Sequence, residues 1–180
     1  MPAGLRPGAV LQDSSLALHP LVRVGEQVAL PLRRGTGTRQ AVQDLLASVG
    51  LPDPADVARR YPAQLSGGQR QRVCLAVALA CAPPMLIADE PTTALDVVTQ
   101  AGIVSLLRER TGGPDGPALL FITHDLAVAA ALCTRIVVMH AGEVVEDRPT
   151  SQVLCAPEHL RTRELVDAAR RSATLLPAHP

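Results

Sequence analysis

The chain reads as an α/β protein built on a mostly parallel sheet, and three observations lead there. Two short apolar runs, Met85–Ala88 and Ala118–Ile122, end in polar residues, and each is followed by a helically spaced segment. Alternation of this kind gives layered folds in which helices cover the sheet. Upstream, residues 21–65 are helical in spacing and free of strand-like runs, which predicts a helical subdomain inserted in that frame.

Each element follows from local signals. Residues 1–9 hold two Pro and two Gly without periodicity and read as an irregular lead-in; Val10 to Asp13 ends a short strand. Thr38–Val49 places Ala41, Val42, Leu45, Leu46 and Val49 at helical spacing, with Gly50 as C-cap. Asp53–Arg60 is a second short helix stopped by Tyr61-Pro62, and Ser66 opens a long helix to about Ala82. Asp96–Arg110 is an amphipathic helix with Val97, Val98, Ile103, Val104, Leu106 and Leu107 on its apolar side. The Gly112–Gly116 cluster is a loop, and Leu126–Cys133 a helix. Ile136–Met139 and Glu143–Glu146 flank Ala141-Gly142 as a hairpin. Leu160–Arg171 is a terminal helix. The expected organisation is a lead-in over 1–20, a helical subdomain over 21–82, the remaining α/β core over 83–171 and a frayed tail over 172–180.

Composition narrows the classes. With 180 residues, 47% apolar and 19% charged, the chain can bury one core. Zero formal charge gives no pull toward nucleic acid. All 17 basic residues are Arg, and no Lys occurs. Cys74, Cys81, Cys133 and Cys155 form no CxxC pair and read as buried free thiols of a reducing compartment. The longest apolar stretch, Val73–Ala88, is interrupted by Pro83-Pro84 and is too short for a membrane span. With no signal-peptide pattern at the start, the expectation is a soluble, cytoplasmic protein without direct membrane insertion.

The chemistry-bearing residues lie at element ends. Ser66-Gly67-Gly68 precedes a helix, where glycines permit close backbone approach and the helix dipole favours an anion; a plain Ser N-cap is the simpler reading of these three alone. Leu86–Glu90 is an apolar strand ending in two carboxylates, suited to contacting Mg²⁺ through Asp89 and to general-base work through Glu90. Phe121–Asp125 ends the next strand with His124, which can hydrogen-bond a phosphate. Gln12 ends the first.

The order Gln12, LSGGQ (Leu65–Gln69), LIADEP (Leu86–Pro91), ALD (Ala94–Asp96) and THD (Thr123–Asp125) resembles the nucleotide-binding subunit of ABC transporters. It is most similar to the peptide and nickel importer branch, through Gln12-Asp13, His19-Pro20, Val24–Gln27, YPAQLSGGQRQRV, LIADEPTTALDV, ITHDLAV and VVMHAGEVVE. The resemblance spans about residues 5–170. It implies that Gln12 is the Q-loop glutamine, sensing Mg²⁺ and the γ-phosphate. It implies that Leu65, Ser66, Gly67, Gly68 and Gln69 contact ATP held by an opposing subunit. Asp89 becomes the Walker B aspartate, Glu90 the catalytic glutamate, Asp96 the D-loop residue and His124 the H-loop histidine. The implied cofactors are ATP and Mg²⁺. The implied partners are a second ATPase subunit, as homo- or heterodimer, and membrane permease subunits, which place the chain at the inner face of the cell membrane.

One part of the family's pattern is missing from these 180 residues. The phosphate-binding loop G-x-x-x-x-G-K-[ST] requires a Lys, and there is none. Gly35-Thr36-Gly37 is no substitute, and Ser14 stands where the importer branch has Pro. The fold expected is therefore an ABC ATPase core with its helical subdomain, without the N-terminal Walker A strand and antiparallel β region. Two alternatives to an active importer subunit stand beside it: a catalytically silent partner subunit or decayed fragment, and a phosphonate-degradation accessory of the same family.

Overall fold

A computed structural model describes residues 6–12, 17–32, 39–93, 95–114 and 116–174. Asp13, Ser14, Gly35–Gly37, Ala94, Asp115 and the 175–180 part of the expected tail lie outside the described residues. The chain divides into two compact units, Met1–Ile122 and Thr123–Pro180. That boundary falls inside the stretch expected to form one remaining core.

The first unit runs β1 (Gly8–Val10), α1 (Val24–Ala29), α2 (Arg39–Ser48), α3 (Pro54–Arg59), a 3-10 turn (Pro62–Gln64), α4 (Gly67–Leu79), β2 (Met85–Asp89), α5 (Val97–Arg110) and β3 (Ala118–Ile122). Its sheet has the order β1-β2-β3 and is parallel throughout, with Val10 opposite Ala88 and Asp89 opposite Ile122. Gly8 and Ala9 therefore belong to the sheet and not to an irregular lead-in, while Val10 lies in the short strand expected there. Gly8 explains why: a Cβ there would lie 2.7 Å from the Ala78 carbonyl oxygen, so only glycine lets α4 pack this closely on β1.

Val10, Leu86 and Ala88 are buried on one side of the sheet, and Val73, Cys74, Leu75, Ala76, Ile103, Leu106 and Leu107 of α4 and α5 are buried with them. Val97 and Val98 depart from the predicted apolar side of α5, being 80% and 83% exposed. They occupy its first turn, where Asp96 accepts from the Val98 and Thr99 amides and fixes the helix start. Val24, Val28, Val42, Leu46, Val49, Leu51 and Val57 are buried in the helical stretch. Gln27 is buried there too, accepting from the His19 amide at 2.8 Å and donating to the His19 and Val22 carbonyls. α4 stops at Leu79, short of the predicted end, and Ala82 turns with φ 45°.

The second unit runs α6 (Leu126–Leu132), β4 (Arg135–His140), β5 (Glu143–Pro149), α7 (Thr150–Cys155) and α8 (Leu160–Thr174). β4 and β5 form the predicted antiparallel hairpin. Its core is Leu126, Ile136, Val138, Val153 and Val166. α8 continues three residues past the predicted Arg171, into the expected tail. Of the four cysteines, expected to be buried, only Cys74 is; Cys133 is half-buried, and Cys81 and Cys155 are exposed. No helix among the described residues is long and apolar enough to cross a membrane.

Candidate functional site

Parallel strands present their C-terminal ends along one edge of the sheet, the place where open α/β sheets bind ligands. Val10 pairs with Ala88, so Gln12 and Glu90 each stand two residues beyond that pair, and Asp89 one beyond it. The sheet thus brings Gln12, Asp89 and Glu90 to a common edge. Gln12 is exposed, while Asp89 and Glu90 are half-buried.

Glu90 has φ 43°, a left-handed backbone that costs a non-glycine residue of order 1–3 kcal/mol. Three bonds hold it there. Its amide donates to the Ile122 carbonyl at 2.9 Å, its carbonyl accepts from the Thr93 amide at 3.4 Å, and its Oε2 accepts from Thr93 Oγ1 at 2.6 Å. The strained backbone and the Thr93 bond fix the direction of the carboxylate. Neither feature is visible in a one-dimensional pattern, although a Thr three residues after a strand-end carboxylate is its only sequence trace.

A second group forms at helix starts. Ser66 caps α4: its Oγ accepts from the Gln69 amide at 3.2 Å, and Gln69 Oε1 accepts from the Ser66 amide at 3.0 Å. The simpler cap reading of Ser66 is therefore realised, with its Oγ acting as an acceptor. Helix starts leave their first amides without intrahelical partners, here those of Gly67 and Gly68. Leu65 is buried, and its carbonyl accepts from Arg70 at 2.7 Å. Asp96 caps α5 and also accepts from Thr99 Oγ1 at 2.6 Å. The Thr99 hydroxyl, then its amide, holds the Asp96 carboxyl below the ordinary Asp value.

His124 belongs to the second unit and is exposed. Beside it, Asp125 accepts from the Ala127 and Val128 amides and caps α6, as a loop His next to an N-cap would predict.

The donor set can be tested against the implied metal. Among the described residues, no three His, Cys, Asp or Glu cluster into a metal cage. Mg²⁺ held mainly by phosphates and water needs only one or two protein oxygens, and the side chains of Asp89 and Gln12 are oxygen donors of that kind. The same test fails for the whole triphosphate, since no lysine-bearing loop exists in the chain.

Residues 5–93 match the sequence profile of the ABC transporter family. The dipeptide transport ATP-binding protein of Escherichia coli K12 is 45% identical over 170 residues, covering 92% of this chain and 52% of that protein. The dimeric structure of a bacterial ABC transporter cassette superposes with TM-score 0.69 at 36% identity, over 81% of this chain and 63% of that one. The chain belongs to the ABC transporter ATP-binding family. A dimeric ATP-binding cassette in a post-hydrolysis state with ADP and Pi gives TM-score 0.66 at 34% identity, over 80% of this chain and 63% of that one. This ABC chain spans about half the length of the curated peptide and dipeptide relatives it matches, between 50% and 56%. Its α/β frame with a parallel sheet and a helical stretch is that of the ABC ATPases it resembles.

Proposed function

We propose that the chain supplies the signature and Walker B parts of an ATP-binding subunit that couples ATP hydrolysis to import of peptides or similar small solutes. The observation that carries this reading is the strand register, which sets Gln12, Asp89 and Glu90 on one C-terminal sheet edge. In this reading Asp89 and Gln12 face a Mg²⁺ that, when bound, would neutralise phosphate charge. Glu90 takes the proton of the attacking water as general base, and the Thr93 bond to its Oε2 orients the carboxylate. His124 donates toward the γ-phosphate. Ser66, Gly67 and Gly68 offer a hydroxyl and helix-start amides to ATP held by a second subunit, and Asp96 stands at the contact with that subunit. A lysine-bearing phosphate loop must come from residues outside these 180, and the permease is the membrane partner, at the inner face of the membrane.

The test has two arms. The purified 180-residue chain is expected to show no ATP binding by calorimetry; micromolar affinity would overturn the need for an outside phosphate loop. In an assembly with a complete ABC ATPase, Ser66→Arg in this chain is expected to lower ATPase turnover. Removing one preorganised electrostatic contact costs about 10²–10³ in rate. An unchanged rate sinks the signature role.

The absence of lysine favours a second reading, a catalytically silent partner whose Leu65–Gln69 serves another subunit's ATP. Glu90→Gln separates the two in the same assembly: a silent partner leaves turnover unchanged, whereas a working Glu90 does not.

A further inference from the structure

Two helix caps in the first unit touch through a single methyl group. A Cβ built on Gly68 would collide with Thr99 Cγ2, and the Thr99 hydroxyl is the group bonded to Asp96 Oδ2. Gly67, one residue away, would meet only Leu95 at 3.7 Å, an ordinary contact. One helical turn further on, α4 and α5 meet again. Arg72, four residues past Gly68, donates to the Val49 carbonyl at 2.7 Å, and its guanidinium lies where a Cβ on Gly102 would come within 2.7 Å. Gly102 is three residues past Thr99. On the far side, a Cβ on Gly50, whose φ is 73°, would lie 2.6 Å from the same guanidinium. α4 and α5 thus meet at two glycines, Gly68 and Gly102, about one turn apart along the pair.

We propose that Thr99 is a positioning residue that ties the first turn of α4 (Ser66–Gln69) to Asp96, so that the two helix starts move as one element. The inference rests on reading both helix starts as nucleotide-facing, but the link itself is a property of this chain alone. Thr99 touches Gly68 with its methyl and Asp96 with its hydroxyl, so a displacement of α4's first turn is passed to the Asp96 carboxylate without an intervening loop. Ordinary capping explains the Thr99–Asp96 bond. It does not explain why the residue facing the Thr99 methyl has no room for a Cβ. The lowered carboxyl of Asp96, caused first by the Thr99 hydroxyl, gives the link a titration signal.

The experiment uses the full chain without nucleotide, so failure of the link and failure of the ATP reading are separate results. Site-resolved amide exchange and the Asp96 titration are followed by NMR in the wild type and in Gly68→Ala, Gly67→Ala, Thr99→Ser and Gly68→Ala/Thr99→Ser. Gly68→Ala is expected to displace Thr99, to speed exchange of the Val98 and Thr99 amides roughly fivefold, as loss of a cap does, and to raise the Asp96 carboxyl toward its ordinary value. Gly67→Ala is expected to change neither. Thr99→Ser removes the colliding methyl and keeps the hydroxyl, so the double variant is expected to recover wild-type exchange and titration. Unchanged Val98 and Thr99 exchange in Gly68→Ala overturns the proposal, and so does a double variant that stays perturbed. If Gly68→Ala unfolds the chain, the double variant decides alone: folded with wild-type protection it supports the link, and unfolded it refutes it.

Discussion

Glu146 lies inside the second unit with a side chain only 3% exposed, yet its carboxylate has several charge-compensating contacts. Its oxygens accept from the Glu158 amide at 3.2 Å and the His159 amide at 3.0 Å, and Arg148 stands 3.7 Å away. Burial pushes its pKa up, but the Thr162 hydroxyl, these two amides and Arg148 together bring it below the ordinary Glu value. A carboxyl lowered in the folded state contributes stability that is complete above the unfolded pKa, near 4.5, and is lost as pH falls through the folded value. Thermal melts of the chain between pH 7 and pH 3 should therefore show the second unit weakening below about pH 4.5. Glu146→Gln should flatten this dependence and cost about 1–3 kcal/mol at pH 7. A second residue-scale prediction concerns the thiols. Burial raises Cys74 to about 11, ahead of a smaller opposing pull from Arg70, so it carries almost no thiolate at neutral pH. A chromogenic disulfide reagent should label exposed Cys81 and Cys155 quickly, Cys133 slowly, and Cys74 only after denaturation. Fast labelling of all four in the native chain would contradict the buried position of α4.

At the scale of elements, the β4–β5 turn holds a built-in conflict. Ala141 and Gly142 both have positive φ, 51° and 82°, the pattern of a type I′ two-residue hairpin turn. Gly142 adopts it freely, whereas alanine pays a steric cost that asparagine largely avoids. Ala141→Asn should stabilise the second unit by about 0.5–1 kcal/mol, read as a higher melting temperature, while Ala141→Val should lower it. The turn dipeptide was legible because glycine stood between two apolar runs. Other elements were legible for similar reasons: β2 and β3 as continuous apolar runs, α5 by its apolar spacing, α4 by Ser66 at its start. The start of β1 at Gly8 was not, because three residues carry no period and its strand pairing comes from Val10 meeting Ala88, 78 positions later in sequence. α7 escaped because it follows Pro149 with only six residues. The exposure of Val97 and Val98 was hidden as well, since periodicity names an apolar stripe but not which turn of it finds a neighbour. Among candidate site residues, Asp89 and Glu90 could be placed at a strand end and Asp96 at a helix start from sequence. The left-handed Glu90, its Thr93 bond and the Gly68–Thr99 contact could not, because each depends on residues brought together only by turns.

For the molecule as a whole, the open side of the first unit's sheet sets its behaviour in solution. Parallel sheets are normally covered on both faces. Here Ala9, Ile87 and Leu120 lie in one register row, and Ile122 and Met85 extend the same face. Met85 is 41%, Leu120 49% and Ile122 45% exposed, while Leu86 and Ala88 on the opposite face are buried. β3 also ends the sheet, and among the described residues its outer edge has no strand partner. Its sequence, ALLFI, holds no charge or proline of the kind that keeps edge strands from pairing with other chains. An apolar face beside an unprotected edge favours association. The purified chain should bind a hydrophobic dye in its native state and sediment as concentration-dependent oligomers. Leu120→Thr with Ile122→Thr keeps strand-compatible residues while removing apolar surface. That pair should cut dye binding and shift the oligomers toward monomer, without lowering the melting temperature by more than a few degrees. Val97→Thr with Val98→Thr removes similar apolar surface from the start of α5 and serves as the control. If the α5 pair has the larger effect on oligomers, the self-association surface is the first turn of α5 and not the sheet face.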